Sequence, residues 1–187
     1  MTSGPHAGPA YTEPTRPSQE AMQLVPQDVL QLIHRLVYKS CLYMNEEAWP
    51  EYLSLCDREA FRYRVVNYSP EIRRDQVWAD RDYKAMKSSL DLLARHNSDH
   101  SKLTRDAIVY DVDYDEQARE ARVVSALTIY RTQLDGTMSY IESGQTSLYA
   151  VGLYNDRIRV DFDAPALVER VVQLDTRQLD VGSHKPF

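Results

Sequence analysis

Two histidines four residues apart with a carboxylate between them, His96, Asp99 and His100 in the run HNSDH, are the first place in this chain to look for chemistry. On one helical turn the two imidazoles would share a face and Asp99 would add an oxygen, the two-His, one-carboxylate set that holds a non-haem iron. Asn97 and Ser98 end the preceding helical pattern, however, so the run reads as a polar loop rather than a ligand set. Cys41 and Cys56 stand in apolar stretches without Cys-x-x-Cys or Cys-x-His spacing, so they read as buried thiols and not as half of a two-Cys, two-His iron–sulfur site. His34, on the buried side of the first expected helix, together with Asp111, Asp113 or Asp161, is the one candidate acid/base couple; a satisfied core histidine is the plainer reading. His6 and His184 fall in the terminal segments, away from any expected pocket.

Tyrosine is the unusual residue: there are 13, against only 3 phenylalanines. Tyr110, Tyr114, Tyr130, Tyr140, Tyr149 and Tyr154 fall on strand-like positions, with Arg122, Arg131, Arg157, Arg159, Arg170 and Arg177 beside them. Rings that pack with one side and hydrogen-bond with the hydroxyl suit a protein interface, as they suit the rim of a half-exposed sheet. From this set Tyr110, Tyr130, Tyr149, Arg131 and Arg177, with Asp175 and Phe187 of the C-terminal tail, are the expected interface residues.

The bulk properties narrow the class. The apolar fraction is 43% and the formal charge −6, with basic residues dispersed, so the chain can build a core and has no stripe for nucleic acid. No run approaches the ~20 apolar residues that cross a bilayer, and the N-terminus lacks a secretory apolar segment, so a cytoplasmic location is expected.

The elements that must position these residues follow from periodicity. Residues 1–22, rich in proline and poor in aliphatics, read as a flexible arm, and residues 23–187 as a single domain. Pro26 to Met44 carries Leu30, Ile33, Val37, Cys41 and Met44 at helical steps. A short helix capped by Asn45 follows, through Trp49, Tyr52, Leu53 and Cys56. Glu59–Tyr68 alternates as a strand, Ser69–Asp75 reads as a loop, and Asp80 is the expected cap of a helix reaching His96. Thereafter the pattern is strands: Lys102–Tyr114, Glu120–Thr132, Ser139–Tyr154, Arg157–Phe162 and Ala166–Leu174. The turn chemistry between them lies at Asp115-Glu116-Gln117, Asp135-Gly136 and Asn155-Asp156. Helices first and an antiparallel meander afterwards is an α+β fold, and strands this long must curve, giving a cone over the helices. The tail, Leu174 to Phe187, has no core of its own and is expected to dock on a partner.

Five segments in order carry a family resemblance: AWPEYLSLCDREAFRYRV (48–65), KLTRDAIVYDV (102–112), ALTIYRTQLDG (126–136), SLYAVGLYND (147–156) and VVQLDTRQLDVGSHKPF (171–187). In this arrangement, from about Gln23 onward, the chain resembles the β (small) subunits of Rieske non-haem iron ring-hydroxylating-type oxygenases. The LDTRQLD wording resembles the methanesulfonate monooxygenase-like branch of that family. One departure is the run NDRIRVDFDAP before the last strand, where several members have Trp-Arg. The resemblance implies a cystatin-like, nuclear-transport-factor-like cone with no catalytic, cofactor or metal residues of its own. It implies a catalytic α subunit carrying the Rieske 2Fe-2S cluster and the mononuclear Fe(II), joined in an α3β3 hexamer with β–β contacts. A ferredoxin or reductase would serve the complex indirectly. Two other readings of the same cone stay open: a stand-alone dehydratase or isomerase using His34 and an aspartate, and a non-catalytic ligand-binding protein.

Overall fold

The computed structural model describes residues 24–96, 101–134, 143–179 and 184–187. Three helices, α1 (Gln27–Asn45), α2 (Trp49–Ser54) and α3 (Tyr83–His96), pack on one side of a six-stranded sheet. Its strands are β1 (Arg62–Ser69), β2 (Arg74–Asp82), β3 (Lys102–Asp115), β4 (Glu120–Thr132), β5 (Thr146–Arg159) and β6 (Ala166–Leu174), in the order β2-β1-β6-β5-β4-β3. Only β1 and β6 run parallel; the other neighbours are antiparallel.

α1 forms because Val29, Ile33, Leu36, Val37, Cys41 and Met44 recur at three- and four-residue steps and bury one stripe. That stripe packs across β3, and α3 packs on β2 and β1 through Met86, Leu90 and Leu93. The sheet curls around them because the pairing slips by a residue in four of its five seams: at Val65/Val66, Val109/Asp111, Ile129/Tyr130 and Arg157/Ile158. Each bulge bends its strand and raises the local twist, so strands of up to 14 residues wrap instead of lying flat. The result is the expected α+β cone.

Four expectations need correction. Residues 74–82 form a strand rather than loop and helix start: β2 pairs with β1 along its length, and Asp80 holds Arg62 (Nη2 to Oδ2, 2.7 Å) instead of capping. Asp82 is the cap, its Oδ1 accepting the Ala85 N–H at 2.8 Å. Asn45 does not cap α2; it clips α1 to β3 by donating to the Arg105 carbonyl (3.1 Å) and accepting the Arg105 N–H (2.8 Å). Asn155-Asp156 is not a turn, because β5 runs through it and points Asp156 inward. Turn chemistry holds at Asp115, whose Oδ1 accepts the N–H groups of Gln117 and Ala118, both at 2.9 Å. The Asp135-Gly136 turn and the arm, residues 1–22, lie outside the described residues.

Gly152 sits where β5 meets β6 with no space above it. A Cβ there would lie 2.1 Å from the Gln173 carbonyl oxygen and 2.9 Å from the Leu174 Cα. Both are backbone atoms of the paired strand, so they yield only if the ladder opens. Gly152→Ala is expected to destabilise the chain by about 3 kcal/mol, at the upper end for overpacking a tight site. Urea unfolding measures it, and a loss below about 1 kcal/mol would mean the two strands part more easily than this contact implies.

Candidate subunit interface and the filled cone

Inside the cone, where an enzyme of this shape would keep its acid and base, stands an ion pair. Arg170 on β6 and Asp156 on β5 are 0% and 3% exposed, and they meet in a two-pronged contact: Nε to Oδ1 at 2.8 Å and Nη2 to Oδ2 at 2.7 Å. The third prong, Nη1, donates to Ser40 Oγ on α1 at 3.0 Å, and that hydroxyl donates to the Val37 carbonyl at 2.7 Å. The guanidinium also lies 4.0 Å over the Tyr154 ring. Burial works to lower the Arg170 pKa, yet the adjacent carboxylate outweighs it and holds the group well above its ordinary value. Arg170 therefore stays charged, and with Asp156 and Ser40 it joins helix to sheet as a polar rivet.

The groups around it are not poised for proton transfer. Burial pushes the Tyr52 and Tyr154 hydroxyls up, and it pushes the Cys56 thiol to about 12. His34 is half-buried on α1 with its ring 5.8 Å from that of Tyr38. Asp111 and Asp113 are exposed on β3, Asp161 lies in the loop before β6, and no hydrogen bond or ion pair joins His34 to any of them. Asp99 and His100 lie outside the described residues, as does the His96 side chain. Among the described residues no three His, Cys, Asp or Glu side chains converge as a metal site. The described cysteines, buried and held as thiols, do not fit an iron centre.

Among the described residues, no helix lies on the far side of the sheet. Register places Thr104, Tyr130 and Leu148 in one row across β3, β4 and β5, and Ile108, Ala126, Leu153 and Gln173 in another reaching β6. Ile108 is 60% exposed, Tyr110 67% and Leu148 57%. The row between them is Asp106, Thr128 and Val151. A solvated sheet face normally alternates to polar residues; one presenting large exposed apolar and aromatic side chains on both sides of such a row has the makeup of a contact surface. Asp106, Asp111 and Asp113 are exposed along β3, one of the two edge strands, and charges there discourage strand addition.

The other expected interface residues divide. Tyr130 is on this face and half-exposed, and Arg131 beside it is half-buried. Asp175 is exposed just past β6, its N–H given to the Val151 carbonyl at 3.0 Å. Tyr149 is only 7% exposed, because the Phe187 ring stacks on it at 6.2 Å and 12°. Residues 184–187 of the tail thus seat on the chain's own cone rather than projecting, which departs from the expectation that they dock on a partner. Lys185 donates to the Ser101 carbonyl at 2.8 Å and Phe187 N–H to Tyr63 Oη at 2.9 Å. The inner polar residues Arg170, Asp156, Ser40 and Arg105 do not stand out in the sequence as site residues. The signal that could have found them is the two-residue period, which puts Arg170 with Val168 and Val172, and Asp156 with Tyr154 and Ile158.

Arg177 tethers the segment after β6 through Nη2, 2.6 Å from each Glu71 oxygen, while Ser69 Oγ donates to Glu71 Oε2 at 2.8 Å. These bonds, the Arg177 one foremost, lower the Glu71 pKa from 4.5 to about 2. A carboxylate lowered by folding contributes fully above its unfolded value and loses that contribution as pH falls through its folded one. The tether is therefore complete above pH 4.5 and lost progressively toward pH 2. Amide exchange of residues 175–179, corrected for intrinsic rates, should rise across that window, and Glu71→Gln should show the fast rate already at pH 6. A variant as slow as the parent at pH 6 would contradict the tether.

No protein-family model matches the chain. It is 34% identical over 161 residues to the methanesulfonate monooxygenase hydroxylase subunit beta of Methylosulfonomonas methylovora, spanning 86% of this chain and 88% of that protein. It is 29% identical over 156 residues to the 2-aminobenzenesulfonate 2,3-dioxygenase subunit beta of an Alcaligenes species, spanning 83% and 97%. Among solved structures, naphthalene 1,2-dioxygenase superposes with a TM-score of 0.68 at 14% identity over 87% of this chain and 86% of that one. At that identity the likeness speaks for the fold, the cystatin-like cone. The likeness to the first relative, together with an ion-filled cone and an open apolar face, leads to one conclusion: the chain belongs to the family of β subunits of multicomponent, Rieske-type ring-hydroxylating oxygenases.

Proposed function

We propose that this β subunit is a non-catalytic scaffold, a single domain behind its N-terminal arm, that assembles with a catalytic α subunit as an α3β3 hexamer. The observation that carries the proposal is the sheet face that no described helix covers, with Ile108, Tyr110, Tyr130 and Leu148 exposed on it as anchors; Arg131, Asp175 and Arg177 would add polar contacts to the same interface. Apolar and aromatic anchors ringed by polar groups are the makeup of a specific interface, and a closed ring needs such patches on each copy. Tyr149 and Phe187 would act from beneath, by holding the tail in place. The Rieske 2Fe-2S cluster and the mononuclear Fe(II) belong to the α subunit in this reading, because the donor set among the described residues fits neither. The names of the two relatives support a small organic sulfonate as the substrate of the whole enzyme. The complex would be cytoplasmic, served indirectly by a ferredoxin or reductase; no described helix is long and apolar enough to cross a membrane.

Co-expression with the cognate α subunit, followed by size measurement and iron analysis per chain, is the test. A hexamer of equal subunits with iron tracking the α chain is expected. Isolated β chain that binds stoichiometric iron or oxidises a sulfonate without a companion would overturn the proposal.

A further inference from the structure

The two buried arginines of the cone differ in one respect. Arg170 has its carboxylate; Arg105 on β3, only 2% exposed, has no ion-pair partner among the described residues. Its Nη1 donates to the carbonyls of Leu103 (3.2 Å) and Met44 (3.4 Å) and reaches Asn45 Oδ1 at 3.4 Å, its Nη2 donates to the Pro186 carbonyl, and its Nε has no partner. Met44 lies in the last turn of α1, so the negative end of that helix offsets part of the charge. A guanidinium out of water and matched only by neutral carbonyls is a strong point of attraction for an anion.

What stands in front of Arg105 is the chain's own tail. Pro186 takes its Nη2, the Phe187 N–H and carbonyl engage Tyr63 Oη at 2.9 and 3.4 Å, and the Phe187 ring lies between Tyr149 and Trp78, 6.2 and 6.5 Å away. A remaining cavity of about 200 Å³ is lined by Tyr63, Val65, Trp78, Ala79 and Arg81 together with the tail. The tail thus supplies a planar ring to an aromatic slot and an oxygen to a buried cation. Those are two halves of one ligand.

We propose that the mouth of the cone is a binding site for a small aromatic anion, a carboxylate or sulfonate, which residues 185–187 occupy in this structure and which such a ligand enters by displacing them. The site lies on the side of the sheet opposite the face proposed for assembly, and ligand binding to the isolated chain is read separately from association with an α subunit. Displacement would bring the anion to Nη2 of Arg105 and its ring to the place of Phe187, so the charge and the plane are both needed.

The chain has two tryptophans, so Trp49→Phe leaves Trp78, at the slot, as the single fluorophore. In that full chain, titration with benzenesulfonate or benzoate is expected to change Trp78 emission, with benzyl alcohol at least ten-fold weaker. Phe187→Ala should tighten anion binding at least five-fold by emptying the slot. Arg105→Gln in the same background should abolish it while circular dichroism reports an intact fold. If that variant does not fold, the anion-against-alcohol ratio in the Phe187→Ala chain decides instead. Silence of Trp78 in both chains, equal binding of the neutral probe, or binding indifferent to Arg105→Gln would each sink the proposal, whatever the size of the complex with α.

Discussion

Asp156→Ala is expected to cost the fold about 3–5 kcal/mol, which is the range for leaving one member of a buried pair without its counter-charge. With Asp156 gone, Arg170 would keep Ser40 and the Tyr154 ring but lose both carboxylate contacts at zero exposure. Given an m-value of about 2 kcal/mol/M for a chain this size, the urea midpoint should fall by roughly 2 M. The loss stems from an orphaned charge rather than from a contact of great intrinsic worth. Replacing both partners, Asp156→Leu with Arg170→Met, should therefore recover most of it, since well-packed apolar pairs often match buried ionic ones. A single variant within about 1 kcal/mol of the parent would show that water reaches the pair and that the rivet is not structural. If the single variant is insoluble, soluble expression of the double variant distinguishes an orphaned charge from a lost contact just as well.

Leu148→Glu is expected to abolish retention of the α subunit in co-purification while leaving the β chain's stability within about 0.5 kcal/mol of the parent, as for a surface position. Leu148 is 57% exposed and Tyr130 stands opposite it across the β4–β5 ladder, so a carboxylate there meets no internal contact of the monomer. In an assembled face it would be desolvated beside apolar neighbours, and truncating or charging a central anchor typically costs more than ~2 kcal/mol of binding. Ile108→Glu, on β3 and two rows along the same face, should act in the same direction. Normal co-purification of the α subunit with both variants would move the interface off this face. The two experiments are complementary: one attacks the inside of the cone and reads stability, the other attacks the outside and reads association.

Much of the fold is legible in the chain alone. The stripe of Ile33, Val37, Cys41 and Met44 names α1 by itself, because four-residue recurrence of apolar groups buries one face only on a helix. Alternation names β3, β4 and β6 in the same way. β2 escapes because residues 74–82 are nearly all exposed: an edge strand buries little, so its pattern has no apolar face to read. The break expected at Asn155-Asp156 fails for the opposite reason. Polar residues between two apolar runs suggest a turn, whereas Asp156 is polar because Arg170 needs it.

Among the candidate contact residues, Tyr110 and Tyr130 can be named from type and period, whereas Tyr149 shares both and is covered. Nothing local distinguishes them; the difference is Phe187, 38 positions away in the chain and stacked on only one of the three. The pairing of Arg105 with Pro186 and of Arg170 with Asp156 is likewise a matter of distance closed by the sheet. What the amino-acid order determined alone was α1, α2 and the strands with an apolar face, the sparse and scattered supply of histidine and cysteine, and the surplus of amphipathic rings. Those are properties of neighbours three, four or two residues apart, where backbone geometry dictates who shares a face. Which of the polar groups would be sealed inside, which ring would be covered and which face left bare was decided only in tertiary structure, because burial is set by contacts between segments whose separation along the chain carries no local signal.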